Sequence, residues 1–136
     1  MSDRLEIRLA GMGGQGMILA GVLLADAAIR DGKNAVQTQS YGPEARGGAS
    51  RSEVILSSES IDYPEVIEAD VLLCMSQPAC DKYAHKLKRT GLLIVDSGHV
   101  QRMPTTLAVR ATLTAWAVEE TEREITANVV ALGFLV

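Results

Sequence analysis

The chain has 136 residues, 47% of them hydrophobic and 22% charged, which is one domain by length with enough apolar material for a real core. Thirteen basic side chains against seventeen acidic ones leave a net charge of −4 and a pI of about 5.1, so there is no basic footprint for nucleic acid or an anionic membrane surface. The start carries Asp3, Arg4, Glu6 and Arg8, which excludes the apolar core of a secretory signal, and no apolar run is long enough to span a bilayer; a cytoplasmic chain is expected.

Residues 5–10 (LEIRLA) predict a strand that ends in Gly11, and the apolar stretch 17–30, with Ile18, Leu19, Val22, Leu23, Leu24, Ala27 and Ile29, predicts a helix. Gly32 stands where a helix C-terminal glycine belongs, and residues 34–39 (NAVQTQ) predict the next strand of a βαβ unit in a parallel sheet. Residues 52–57 (SEVILS) and 70–75 (DVLLCM) predict two more strands, with Asp62, Tyr63 and Pro64 closing the connection between them. A helix is expected from a Ser76 cap, with Pro78 in its first turn, Lys82, His85, Lys86, Lys88 and Arg89 in its C-terminal half and Gly91 at its end. Residues 92–95 (LLIV), before Asp96-Ser97-Gly98, complete a second strand-helix-strand alternation. The fold class is α/β: a mostly parallel sheet flanked by helices, with a Rossmann-like glycine turn.

Residues 105–118 show no clean period, and 117–124 (AVEETERE) suit an exposed helical turn or a linker. Residues 125–136 (ITANVVALGFLV) are apolar to the last position, which predicts a helix packed on the sheet or on another subunit, and self-association of the chain in isolation. No internal repeat or low-complexity tract is present, so function must come from loops at the sheet.

Two segments carry candidate chemistry. Gly11-Met12-Gly13-Gly14-Gln15-Gly16 is a G-x-G-x-x-G between a strand and a helix, where backbone N–H groups and the helix N-terminus favour a phosphate. A nicotinamide dinucleotide also needs an acidic residue about twenty positions on, and residues 35–41 (AVQTQSY) hold none. An NAD(P)-binding Rossmann enzyme is therefore the lesser reading; glycines that permit tight strand-helix packing are the plainer one, and another kind of phosphate contact stays open. Residues 40–52 (SYGPEARGGASRS) form the second segment. Gly42, Gly47 and Gly48 allow close backbone approach, Pro43 stiffens the entry, and Arg46 and Arg51 present forks suited to carboxylate or phosphate. A merely solvated connection rarely needs so many special residues, so this span reads as a recognition loop.

The remaining candidates are weaker. Cys74 and Cys80 form no Cys-x-x-Cys pair, so any iron–sulfur centre must lie on another chain; Cys74 reads as a small buried side chain and Cys80 as a thiol of modest prospects. His85 belongs on a solvated face. His99 belongs at a strand's C-terminal rim, and neither histidine has an evident catalytic companion. Asp62, Glu65, Glu68 and Asp70 lack the spacing of a metal cage and suit a capped, solvated loop, and Trp116 suits packing. No catalytic residue and no metal ligand is assigned.

GMGGQGMILAG and SYGPEARGGASRSEVILS, in this order and spacing, resemble the gamma subunit or gamma domain of the 2-oxoacid:ferredoxin oxidoreductases, which include 2-oxoglutarate and pyruvate members. IDYPEVIEADVLLCMS, LLIVDSG and ITANVVALG are similar to that family too, so the resemblance covers most of the chain. It departs from the family at residues 103–118, and the family's chain continues past the position of Val136; residues 1–136 are expected to be one gamma-type domain truncated at its C-terminus.

Enzymes of this family decarboxylate a 2-oxoacid on thiamine diphosphate with Mg²⁺, pass electrons through iron–sulfur clusters to ferredoxin, and use coenzyme A as acyl acceptor. The resemblance implies a noncatalytic subunit that holds none of these centres itself: there is no Gly-Asp-Gly, and Asp31-Gly32 belongs to a helix end. It implies packing on alpha and beta subunits, with a delta subunit as a further candidate, and a part in shaping access for coenzyme A. Contact with phosphate, coenzyme A or a partner would then fall to Gly11, Gly13, Gly14, Gln15, Gly16, Arg46, Gly47, Gly48 and Arg51. An interface would use Tyr41, Pro43, Glu44, Arg46 and Arg51. A stand-alone nucleotide- or anion-binding module is the third reading. Pyruvate, branched-chain and arylpyruvate substrates stay open beside 2-oxoglutarate, the first choice.

Overall fold

The structure, a computed structural model, describes residues 4–12, 15–40, 49–103, 108–123 and 127–135. Strand β1 (Leu5–Met12) is its spine: Ile7 and Leu9 enter one core while Arg8 and Ala10 turn to the opposite face, the alternation of a strand covered on both sides. Helix α1 (Met17–Arg30) has the limits its apolar run predicts. It is closed by Gly32 at φ 87, a left-handed conformation that suits glycine.

The βαβ reading places the next strand beside β1, and here the structure differs. Strand β2 (Asn34–Ser40) is separated from β1 by β3 (Ala49–Ser57), which runs antiparallel to both; Ile7 pairs with Val54, and Val54 pairs with Gln37. The short connection lets β3 fold straight back on β2, which an antiparallel pair permits and a parallel pair does not. Strand β3 also starts earlier than its apolar core, so Arg51 is a strand residue and not part of the loop.

Strand β4 (Ala69–Cys74) lies parallel to β1 on its other side and leads into α2 (Gln77–Tyr83), capped by the Ser76 hydroxyl, which accepts the Ala79 N–H, with Pro78 in the first turn. The helix expected to reach Gly91 stops at Tyr83. A 3₁₀ turn over 84–86 follows, then strand β5 (Leu87–Asp96), which includes Lys88, Arg89 and Gly91. Basic residues favour a helix C-terminus only weakly. Lys88 instead reaches two carboxylates, Asp70 on the adjacent strand β4 at 2.9 Å and Glu6 on β1, the next strand beyond it, at 3.1 Å, and the ladder pairs Leu87 with Ala69, with a bulge between Ala69 and Val71.

Strand β6 (Val109–Ala111) and helices α3 (Leu113–Thr121) and α4 (Ala127–Leu135) complete the described chain. The sheet order is β2-β3-β1-β4-β5-β6, and every strand but β3 runs in the direction of β1. Helices α1, α3 and α4 cover one face, where Met17, Ala20, Leu113, Ala117, Ala127 and Ala131 meet Ile7, Leu9, Leu73 and Ile94. Helix α2 covers the other, with Ala79, Cys80 and Tyr83 against Ala10, Leu72 and Val95. Trp116, expected to pack, is 40% exposed on α3. Among the described residues no helix is long and apolar enough to cross a membrane.

Candidate functional site

The chain leaves β1 across one face through α1 and leaves β4 across the other through α2, so the sheet has a switch point between the C-terminal ends of these two strands. Open α/β sheets receive ligands in that crevice. Gly11, Gln15 and Gly16 meet there. The Gln15 carboxamide accepts the Met12 N–H at 2.7 Å and donates to the Met75 carbonyl at 2.9 Å. Gly16, at φ 76, is the residue before α1, and its carbonyl accepts the Ala20 N–H at 2.9 Å and the Asn128 side-chain amide at 3.3 Å. A Cβ on Gly11 would stand 2.5 Å from the Gln15 oxygen, and one on Gly16 2.6 Å from the Asn128 nitrogen. The glycines thus make room for the chain's own carboxamides. Gly13 and Gly14 lie outside the described residues.

A second cluster lies on the α2 face beside the recognition segment. Arg8, almost fully buried, donates from Nε to Glu53 at 2.7 Å and from Nη2 to the Val66 carbonyl at 2.7 Å, with Nη2 also 2.6 Å from the carboxylate. Arg51 Nε stands 3.7 Å from the other Glu53 oxygen. Both guanidiniums lie over the Tyr83 ring, 5.5 Å and 5.6 Å from its centre, and Lys82 approaches the same ring at 5.5 Å. Tyr41, Pro43, Glu44, Arg46, Gly47 and Gly48 lie outside the described residues, between Ser40 and Ala49.

At the end of β5, His99 has a companion after all. Its Nδ1 is 2.7 Å from the carboxylate of fully buried Asp96, which also accepts the Thr114 hydroxyl and, at 3.3 Å, the Thr114 N–H in the first turn of α3. His85 is exposed on the 3₁₀ turn. Cys74 and Cys80 are both buried, and the Cys74 thiol donates to the Cys80 sulfur. That bond, with burial, holds Cys74 well above the ordinary thiol range, and it lowers Cys80 against the opposing effect of burial. Cys80 lines a cleft of about 250 Å³ with Asp81, His85, Arg102 and Met103. Of the acidic cluster, Asp70 accepts the Glu6 N–H and Lys88. Among the described residues no three His, Cys, Asp or Glu side chains converge as a metal ion requires.

Sequence reasoning passes over Arg8, Glu53, Tyr83 and Asn128. The available signal is a charge of each sign inside two otherwise apolar runs, LEIRLA and SEVILS, because a charge in a covered strand needs a partner.

Residues 6–136 match the pyruvate ferredoxin/flavodoxin oxidoreductase family. The chain belongs to this family. A 2-oxoglutarate synthase subunit KorC from Methanocaldococcus jannaschii is 53% identical over 137 residues, covering 97% of this chain and 73% of the relative. The gamma subunit of a keto/oxoacid ferredoxin oxidoreductase from Geobacter sulfurreducens superposes with a TM-score of 0.84 at 51% identity, over 97% of this chain and 75% of that one. A 2-oxoglutarate:ferredoxin oxidoreductase from Magnetococcus marinus, solved with 2-oxoglutarate, coenzyme A and succinyl-CoA, superposes with a TM-score of 0.83 at 26% identity, over 97% of this chain and 24% of that one. The gamma-type fold expected from the motifs is thus matched along nearly the whole chain.

Proposed function

We propose that the chain is the noncatalytic gamma subunit of a cytoplasmic 2-oxoacid:ferredoxin oxidoreductase acting on 2-oxoglutarate. The complex would convert 2-oxoglutarate, coenzyme A and oxidised ferredoxin into succinyl-CoA, CO₂ and reduced ferredoxin. The observation that carries this reading is the near full-length likeness to a 2-oxoglutarate synthase subunit at 53% identity. The switch-point crevice supports it from the other side: where a dinucleotide would bind, Gln15 and Asn128 occupy the approaches to the glycine turn.

Thiamine diphosphate, Mg²⁺ and the iron–sulfur cluster belong, on this reading, to alpha, beta and delta subunits, and ferredoxin is reached through them. This chain offers no Gly-Asp-Gly and no converging ligand set among its described residues, so no step of the reaction is assigned to its side chains. Its part is to pack on the catalytic subunits through the span 40–52 and to shape access for coenzyme A, with Arg46 and Arg51 as contacts and Gly13, Gly14, Gly47 and Gly48 allowing close backbone approach, while Gly11 and Gly16 accommodate Gln15 and Asn128.

The test is reconstitution. The purified chain should show no 2-oxoglutarate-dependent, coenzyme A-dependent reduction of ferredoxin, and addition of the other subunits should restore it. Activity from this polypeptide alone, free of other subunits, would overturn the reading.

A further inference from the structure

We propose that Arg51, held between Glu53 and the Tyr83 ring beside buried Arg8, forms a binding site for an oxyanion, a carboxylate or a phosphate, at the end of the β2–β3 pair. The proposal deepens the contact role given to Arg51 above and rests on that reading.

Charge is the first argument. Two guanidiniums, one buried and one partly exposed, share one buried carboxylate, and exposed Lys82 approaches the same ring from the solvent side, so the cluster carries surplus positive charge. Unneutralised charge out of water is costly, and a ligand anion removes the cost.

Donor accounting is the second. Glu53 and the Val66 carbonyl use the Nε and Nη2 of Arg8, while Nη1 is buried with no acceptor. Arg51 Nε is likewise buried with no acceptor, because its 3.7 Å separation from Glu53 is beyond a hydrogen bond. Buried donors are almost always paired in native proteins. Arg51 makes no hydrogen bond with any described side chain, yet its side chain is 29% exposed, so its fork meets solvent.

Geometry is the third. A guanidinium lying over an aromatic ring and beside a carboxylate has lost most of its rotamer freedom before any ligand arrives, and its planar fork matches two oxygens of one anion. Arg51 pairs with Ser40 on β2 and with Ala10 on β1, so the site lies at the end of the β2–β3 ladder.

The experiment is a side-chain ¹⁵N NMR titration of the full chain at low salt, following the arginine Nε–H signals with inorganic pyrophosphate and, separately, succinate. A saturable shift of Arg51, weakened by added salt while Arg8 stays in place, is the expected result. Saturation by pyrophosphate alone identifies a phosphate ligand, and saturation by succinate a carboxylate. Arg51→Lys, which keeps the charge and loses the fork, should weaken binding about tenfold, and Tyr83→Leu, which keeps an apolar filler, about fivefold. The amide spectrum of each variant reports that it is folded. No saturable shift with either anion, or a folded Tyr83→Leu variant that binds as tightly as the parent, overturns the site. If Arg51 does not respond while the chain still assembles with its partner subunits, the site fails and the subunit reading stands; if Arg51 responds and assembly fails, the site stands and the subunit reading fails.

Discussion

The side-chain amide of Gln15 reaches across the sheet's switch point to the carbonyl of Met75, 2.9 Å away, while its oxygen holds the Met12 N–H. One residue thereby joins the C-terminal ends of two neighbouring parallel strands. Gln15→Ala leaves both backbone groups without this partner and should lower stability by about 1–2 kcal/mol. Gln15→Glu keeps the acceptor for Met12 but sets a carboxylate against the Met75 carbonyl, and should cost at least as much. Urea unfolding of the three proteins measures both effects; parent-like midpoints for both variants would show that the bridge adds nothing.

Gly21 offers a test of packing against propensity. In the interior of α1, alanine is favoured over glycine by about 1 kcal/mol. A Cβ at this position would run into the Ser52 hydroxyl and stand 2.8 Å from the Ser52 Cβ. Gly21→Ala should therefore destabilise by about 1–3 kcal/mol despite the gain in propensity, and Ser52→Gly added to it should recover part of the loss. Thermal unfolding of the single and double variants decides between clash and propensity.

Asp96 anchors α3 and His99 to the end of β5 from a fully buried position. Asp96→Asn turns an amide donor toward groups that already donate, and should cost about 2–4 kcal/mol. Thr114→Val removes one of the bonds and should cost about 1 kcal/mol. Hydrogen exchange should show the loss concentrated in the α3 amides; uniform loss across the sheet would contradict a local anchor.

Lys88 gives a pH signature. Its ammonium is held above its ordinary value of 10.5, first by the hydrogen bond with Asp70 and then by Glu6, against partial burial. A cation whose pKa is raised on folding adds stability that is complete below the unfolded pKa and disappears as pH climbs through the folded one. The side chain is 39% exposed, so solvent screens the pair and the contribution is about 0.2–1 kcal/mol. Lys88→Met should be less stable than the parent at neutral pH, and the gap should close above 10.5, read from denaturant midpoints across alkaline buffers.

The two cysteines should differ in reactivity. Cys80 lines the cleft and has its thiol lowered by the bond from Cys74, whereas Cys74 is fully buried and raised. Iodoacetamide should label Cys80 first, and Cys74→Ala should slow that labelling by removing the donor that favours the Cys80 thiolate. Peptide mapping by mass spectrometry reads the order; earlier labelling of Cys74 would reverse the assignment.

The apolar runs made β1, β3, β4 and the end of β5 legible in the sequence, and α1 was readable to its limits because its apolar stretch is bounded by Gly16 and Gly32. Strand order was not, since no local feature says that β3 will return between β1 and β2. The early end of α2 was also hidden: Lys88 and Arg89 fit a helix end as well as a strand until Asp70 and Glu6 are known to lie within reach. The same distance effect concealed the Arg8 cluster. Its charges are 45 positions apart in the chain and meet only through the register of two antiparallel strands.

Because β2 and β3 are laddered to each other up to Ser40 and Arg51, and β3 is laddered again to β1, the register of this edge is set twice before the span 41–48 is reached. A change in the length of that span is expected to leave these ladders in register. The segment that would meet other subunits can therefore diverge at a different pace from the framework that carries it, so a change of partner surface need not be accompanied by a change in the core.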